Sequence, residues 1–174
     1  MKIYDEYIET VIQLAEDYMR DGDSQKAKLM LENALMEEPG YPKLHYTMGW
    51  LYEDYLVDQI MAERHYGLAI KFDPGYRDPY LYLTDLYLKR KQYNELRRVL
   101  NGAFNYDEIE DSFIYENLGK VEEAEGNYRT AIQFYKKALF HSMNNQQVKE
   151  LKQNIKRSRF KRIKLSWKKW QQIK

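Results

Sequence analysis

A set of large and small side chains comes round four times in this chain, at intervals of 34 or 35 residues. A repeat of that length restricts the chain to folds in which one short unit stacks on copies of itself. The first copy reads Val11, Leu14, Ala15 and Tyr18, then Ala27, Leu31, Ala34 and Pro39. It returns as His45, Met48, Gly49 and Tyr52 with Ala62, Tyr66, Ala69 and Pro74, and again as Tyr80, Leu83, Thr84 and Tyr87 with Leu96, Leu100 and Ala103. The last copy is Tyr115, Leu118 and Gly119 with Ala131, Tyr135 and Ala138. Offsets of three, four and seven residues fall on one side of a helix, so each half of a copy predicts one amphipathic helix. Ala15, Gly49 and Gly119 are small where the partner helix must approach. Asp21-Gly22-Asp23 and Gly126-Asn127 supply turns between the halves, and Pro39 and Pro74 stop the second helices.

This pattern resembles the tetratricopeptide repeat. The resemblance implies an all-α, right-handed solenoid of helical hairpins with four repeats, covering residues 4–41, 42–76, 77–111 and 112–143. Residues 144–174 then form a basic amphipathic capping helix and tail, laid on the fourth repeat through Val148, Leu151 and Ile155. Three departures are visible. The second unit gains a residue around Val57 and Asp58, the third has Thr84 and Leu96 where Gly49 and Ala62 stood, and the fourth has Glu122 in place of Tyr18, Tyr52 and Tyr87.

Composition narrows the chemistry. The chain has no Cys, which excludes a disulfide framework and a thiolate ligand or nucleophile. His45, His65 and His141 are scattered, and no phosphate-cradling Gly loop or paired-His motif occurs, so we expect neither an enzyme, a metal nor a cofactor. The first twenty residues lack the basic start and apolar run of a secretory signal, so a cytoplasmic setting is expected. Most of the 17 Tyr sit at repeated packing positions. The net charge of +1 conceals a division: residues 145–174 carry +10 and residues 1–144 carry −9.

In the family resembled, first helices line a concave face. That implies a groove containing Glu16, Tyr46, Trp50, Tyr82, Asp85, Phe113, Glu116, Asn117 and Lys120, with Glu9, Ile12, Thr47, Asp78 and Glu123 also pointing inward. The set is acidic and aromatic, and it suits a protein or peptide segment with basic residues and apolar anchors. A merely solvated helix face is the alternative. Lys and Asn side chains that bind acidic chaperone tails in some relatives are replaced in the first unit by Ile12 and Glu16 and in the third by Asp78 and Tyr82, which argues against that ligand.

The second surface is the tail, with Arg157, Phe160, Lys161, Lys164, Trp167, Lys168 and Trp170. As a helix it gathers Phe160, Ile163, Trp167 and Trp170 within about 80°. An anionic membrane, nucleic acid, another protein, self-association through the tail, and this chain's own acidic groove all remain open as its cover. The expected function is a non-enzymatic adaptor that binds a protein segment in its groove. The alternative is a peripheral membrane or nucleic-acid binder acting through the tail.

Overall fold

The computed structural model describes residues 2–172, and no strand occurs among them. The helices gather into two compact units, Met1–Arg90 and Lys91–Lys174. The first holds α1 (Lys2–Arg20), α2 (Ser24–Glu37), α3 (Pro42–Trp50), α4 (Gln59–Phe72) and α5 (Arg77–Arg90). The second holds α6 (Tyr93–Ala103), α7 (Asp111–Ala124), α8 (Tyr128–His141) and α9 (Asn145–Gln172). The division falls inside the third repeat expected from the sequence, between α5 and α6.

Every first helix of a repeat ends in one left-handed residue. These are Gly22 and Gly126, with φ of 85° and 84°, and Val57 and Lys91, both with φ of 57°. The residue that follows begins the next helix: Asp23 and Asp58 accept hydrogen bonds from backbone N–H groups two or three positions ahead, as N-caps do. Only the two glycines were legible as turns, because nothing in Val57 or Lys91 favours positive φ. The extra residue near Val57 is absorbed upstream. There α3 widens into a π-helical turn, Leu51–Tyr55, and the Leu56 amide donates to the Leu51 carbonyl at 3.0 Å.

In α1 the buried face is Ile8, Ile12, Ala15 and Met19, spaced by four, three and four residues. This corrects the expected face: Leu14 is 42% exposed, whereas Ile12, expected in the groove, is 2% exposed. Ile12 and Met19 flank Ala15 more tightly than Leu14 and Tyr18 do, so the helix is rolled by a fraction of a turn. Thr47, also expected to face the groove, is buried and donates to the Lys43 carbonyl at 2.9 Å.

Hairpins α3–α4 and α7–α8 share one locking device. A Cβ on Gly49 would lie 2.6 Å from the ring of Tyr66, and a Cβ on Gly119 would lie 2.6 Å from the ring of Tyr135. Both rings are fully buried, so each glycine is the space its tyrosine occupies. The hydroxyls then turn back: Tyr66 Oη donates to Glu53 at 3.0 Å and Tyr135 Oη to Glu123 at 2.8 Å. Each glutamate lies four residues after the glycine, one turn along the same helix face. The first unit's other hairpin, α1–α2, has Ala15, Met19 and Leu31 at the corresponding positions, an apolar version of the same contact.

The loops entering α3 and α5 are also fastened alike. His45 Nε2 donates to the Pro39 carbonyl at 2.9 Å, and Tyr80 Oη donates to the Pro74 carbonyl at 3.0 Å. His45 thus replaces a tyrosine functionally as well as sterically. Because its Nε2 carries the proton, its Nδ1 is free to accept one from His65 Nδ1, 3.2 Å away. Phe72 stacks on His45 and Tyr52 on His65. Burial pushes both imidazoles below their ordinary pKa, His65 to about 4 with the nearby His45 and Arg64 adding to the effect.

Candidate functional site

In the first unit the inner side of α3 and α5 carries a cluster of tyrosines. Tyr46 meets Tyr76 and Tyr82 edge-on, each at 5.5 Å between ring centres, and Tyr82 tilts against Tyr66 at 5.5 Å. Beside the cluster Tyr41, Pro42, Lys43, Asp73, Tyr76 and Asp78 line an open hollow of about 460 Å³. Glu9 of α1 closes one flank, accepting from Tyr41 Oη at 2.9 Å and pairing with Lys43. Burial holds the Tyr76 hydroxyl well above the usual phenol range, and the charges of Asp78, Glu9, Glu16 and Asp73 raise it further. Tyr46 is raised in the same way, by burial, a hydrogen bond with Tyr82 and the nearby Asp78. These phenols therefore stay protonated, and the face presents ring surface, O–H donors and negative potential together.

Of the residues expected in the groove, Tyr46 and Tyr82 are brought together and Glu16 lies within electrostatic reach of their neighbour Tyr76. Asp85 is exposed on α5, three residues past Tyr82. Trp50 sits half-buried at the end of α3, donating its indole N–H to Asp54 at 2.8 Å and meeting Tyr55 edge-on. Tyr76 and Tyr41 are not among the residues expected in the groove. The signal was present in the matching Pro39-Gly40-Tyr41 and Pro74-Gly75-Tyr76, which deliver a tyrosine to the same place twice.

The fourth repeat departs from expectation. Phe113, Glu116 and Asn117 are buried, so they form no open groove wall. Over Glu116 lies α9, whose Gln147 donates to it at 3.0 Å. Lys120 pairs with Glu116 at 3.0 Å, and the Asn117 side chain donates to the Phe113 carbonyl. One turn further, Arg157 grips Glu123 through two hydrogen bonds of 2.7 Å and Lys161 adds a third at 2.9 Å. Burial alone would push the Glu123 carboxyl up; the bonds from Arg157, Lys161 and Tyr135 outweigh it and hold the group at about 2.

Helix α9 begins where the Asn144 side chain accepts from the amides of Gln146 and Gln147. Leu151 and Ile155 join Ala131, Ile132, Tyr135 and Ala138 in one core, and Ser158 is also buried. Beyond that point the helix has an uncovered face: Phe160 is 67%, Ile163 65% and Trp167 64% exposed, and Lys164 is exposed beside them. Arg157 and Lys161 are thus partly committed to Glu123, whereas Phe160, Lys164 and Trp167 are free of the core. The side chains of Lys168 and Trp170 lie outside the described residues.

No family model matches the chain. The TPR repeat-containing protein YpiA of Bacillus subtilis is 30% identical over 153 residues, which is 84% of this chain and 34% of YpiA. This chain is a tetratricopeptide-repeat protein. It spans about a third of the length of that curated relative. The tetratricopeptide-repeat fold is also that of the Pseudomonas aeruginosa PilF structure, which covers 92% of this chain and 71% of its own with a TM-score of 0.71 at 21% identity. MamA of Desulfovibrio magneticus RS-1 superposes over 94% of this chain and 96% of its own, with a TM-score of 0.63 at 19% identity. At such identities the tetratricopeptide-repeat likeness is one of backbone, and the residues of the tyrosine face belong to this chain's own chemistry.

Proposed function

We propose that this tetratricopeptide-repeat chain is a non-enzymatic adaptor whose first unit binds a protein segment carrying Lys or Arg beside an apolar or aromatic anchor. The observation that carries the reading is the tyrosine cluster Tyr46, Tyr76 and Tyr82, set among the carboxylates of Glu9, Glu16, Asp73 and Asp78 and open at a hollow of about 460 Å³. A partner cation gains from both the carboxylates and the ring faces, and its anchor gains flat, preorganised tyrosine area. The closed inner side of the fourth repeat restricts the groove reading to the first unit.

The test uses the full chain and a short synthetic peptide of interspersed Lys and Trp, against a control with Glu for Lys. We expect the first peptide alone to bind by calorimetry, and Glu16→Lys with Asp85→Lys to weaken it at least tenfold. Equal binding of both peptides, or none of either, overturns the reading.

A further inference from the structure

The uncovered half of α9 needs an occupant, and its chemistry is specific. Phe160, Ile163 and Trp167 follow one another at three and four residues, so they form a single stripe on the side away from Leu151, Ile155 and Ser158. Basic side chains border the stripe, and no Asp or Glu occurs after Glu150. Among the described residues of its own unit nothing covers these three side chains, and each is about two-thirds exposed. The occupant therefore comes from outside that unit. It must supply negative charge together with apolar or aromatic area.

The first unit displays that combination. From this complementarity, and resting on the proposed function of the tyrosine face, we infer that the Phe160–Trp167 stripe of one copy docks on the Tyr46–Tyr76–Tyr82 face of a second copy. Charge supports a protein occupant over a phosphate surface: residues 1–144 carry −9, which an anionic bilayer or nucleic acid would repel while the tail alone attracted it. A second copy inverts that term, because its −9 segment is what the +10 segment meets. The rings match too. Trp167 and Phe160 can stack against half-buried tyrosines whose rings are already held edge-on by one another, so little side-chain freedom is lost on docking.

The contact joins two different surfaces, so it is heterologous: each copy keeps one free stripe and one free face, and association continues into open chains unless the geometry closes a ring. This gives the inference a signature that a symmetric dimer lacks. A copy with a disabled stripe and a copy with a disabled face each fail to assemble alone, yet together they form one contact and stop at a pair.

Sedimentation velocity of the full chain tests it at concentrations up to about 100 µM, the range for an association of moderate strength. Lys164→Glu with Trp167→Ala disables the stripe, and Glu16→Lys with Asp85→Lys disables the face. All four positions are outside the core, and thermal melts of both variants check that they fold. We expect the unsubstituted chain to form multimers that dissociate in high salt, each variant to lose at least tenfold in association, and an equimolar mixture to restore a one-to-one pair. An unsubstituted chain that stays monomeric, variants that assemble as well as it does, or a mixture that remains monomeric overturns the inference. In the first case, Trp167 emission, isolated by Trp50→Phe and Trp170→Phe, that shifts blue only with phosphatidylserine vesicles or RNA assigns the stripe to that surface instead. The Lys and Trp peptide separates the two readings. If it binds a chain that does not self-associate, the face stands as a binding site and only self-docking falls; if it does not bind either, both fall.

Discussion

Glu53 and Glu123 occupy equivalent places, each one turn after a glycine that makes room for a buried tyrosine and each accepting from that tyrosine's hydroxyl. They differ in what the following helix brings. From α5, Lys89 pairs with Glu53 at 3.6 Å. Glu123 is held at 2.7 to 2.9 Å by both Arg157 and Lys161 of α9. The contrast extends to the rest of each inner side: α5 contributes Tyr82 and Asp78 to an open aromatic face, whereas α9 brings Gln147 over Glu116 and closes the other. One repeat position can thus be an open surface or a buried joint, and the helix that follows the hairpin bears on which.

The largest test of the shared device is to fill it. Gly49→Leu and Gly119→Leu should each cost more than about 3 kcal/mol, because a branched side chain cannot share its volume with a fully buried tyrosine ring. Chemical denaturation measures this. A loss below about 1 kcal/mol at both sites would mean that the tyrosines can move aside and that the two hairpins are not locked alike.

Acid should separate the units. The lowered pKa of His45 and His65 means that the unfolded chain binds more protons than the folded one as pH falls from about 6.5 towards 4, so the first unit loses stability over that window, by about 3 kcal/mol from His65 on linkage grounds. Glu123 works in the opposite range. Its folded carboxyl is depressed to about 2 from an ordinary 4.5, so the stability it contributes is present above about 4.5 and is lost as pH falls through that interval. Hydrogen exchange resolved by residue should show residues of α3 and α4 weakening first and α7 to α9 holding to lower pH. Simultaneous loss would contradict the assignment.

Removing the acid tests the joint itself. Glu123→Gln should cost about 2 kcal/mol, since charge-assisted bonds from Arg157 and Lys161 are lost and two cations are left facing each other. Glu53→Gln, whose pairing with the exposed Lys89 is longer and whose bond from Tyr66 a glutamine oxygen can still accept, should cost less than about 1 kcal/mol. Equal losses in thermal unfolding would remove the distinction between an open and a closed repeat.

The smallest expected change concerns the turns. Val57→Gly should stabilise by about 1 kcal/mol, because a β-branched residue at φ of 57° is strained and its side chain is 78% exposed, while Gly126→Val should cost a similar amount. Melting temperatures of both variants check the pair of signs. A neutral Val57→Gly would show that the π-helical turn before it already relieves the strain.

Much of the architecture was legible because it rests on local rules. Helix periodicity, small residues at crossings and the spacing of 34 or 35 residues are properties of the chain's own order, so the repeat could be read from one sequence. The Gly-Glu-Tyr device is equally present there, as Gly49, Glu53 and Tyr66 and again as Gly119, Glu123 and Tyr135, but the hydrogen bond that joins the glutamate to the tyrosine is not a property of spacing. The face of α1 was harder. Val11, Leu14 and Tyr18 compete with Ile8, Ile12 and Met19 for the same core, and periodicity alone does not rank two apolar stripes that overlap at Ala15.

The amino-acid order by itself determined the all-α repeat, the packing role of its glycines and tyrosines, and the opposition between an acidic body and a basic end, because each follows from residue type and spacing along one helix. Tertiary structure alone decided where a surface stays open. Phe113, Glu116 and Asn117 look inward by register just as Tyr46 and Tyr82 do. They are nevertheless buried, and Glu116 and Glu123 are bonded by Gln147, Arg157 and Lys161 that α9 carries in from 30 to 40 residues further on; such a contact depends on how helices meet rather than on the order of residues within either one.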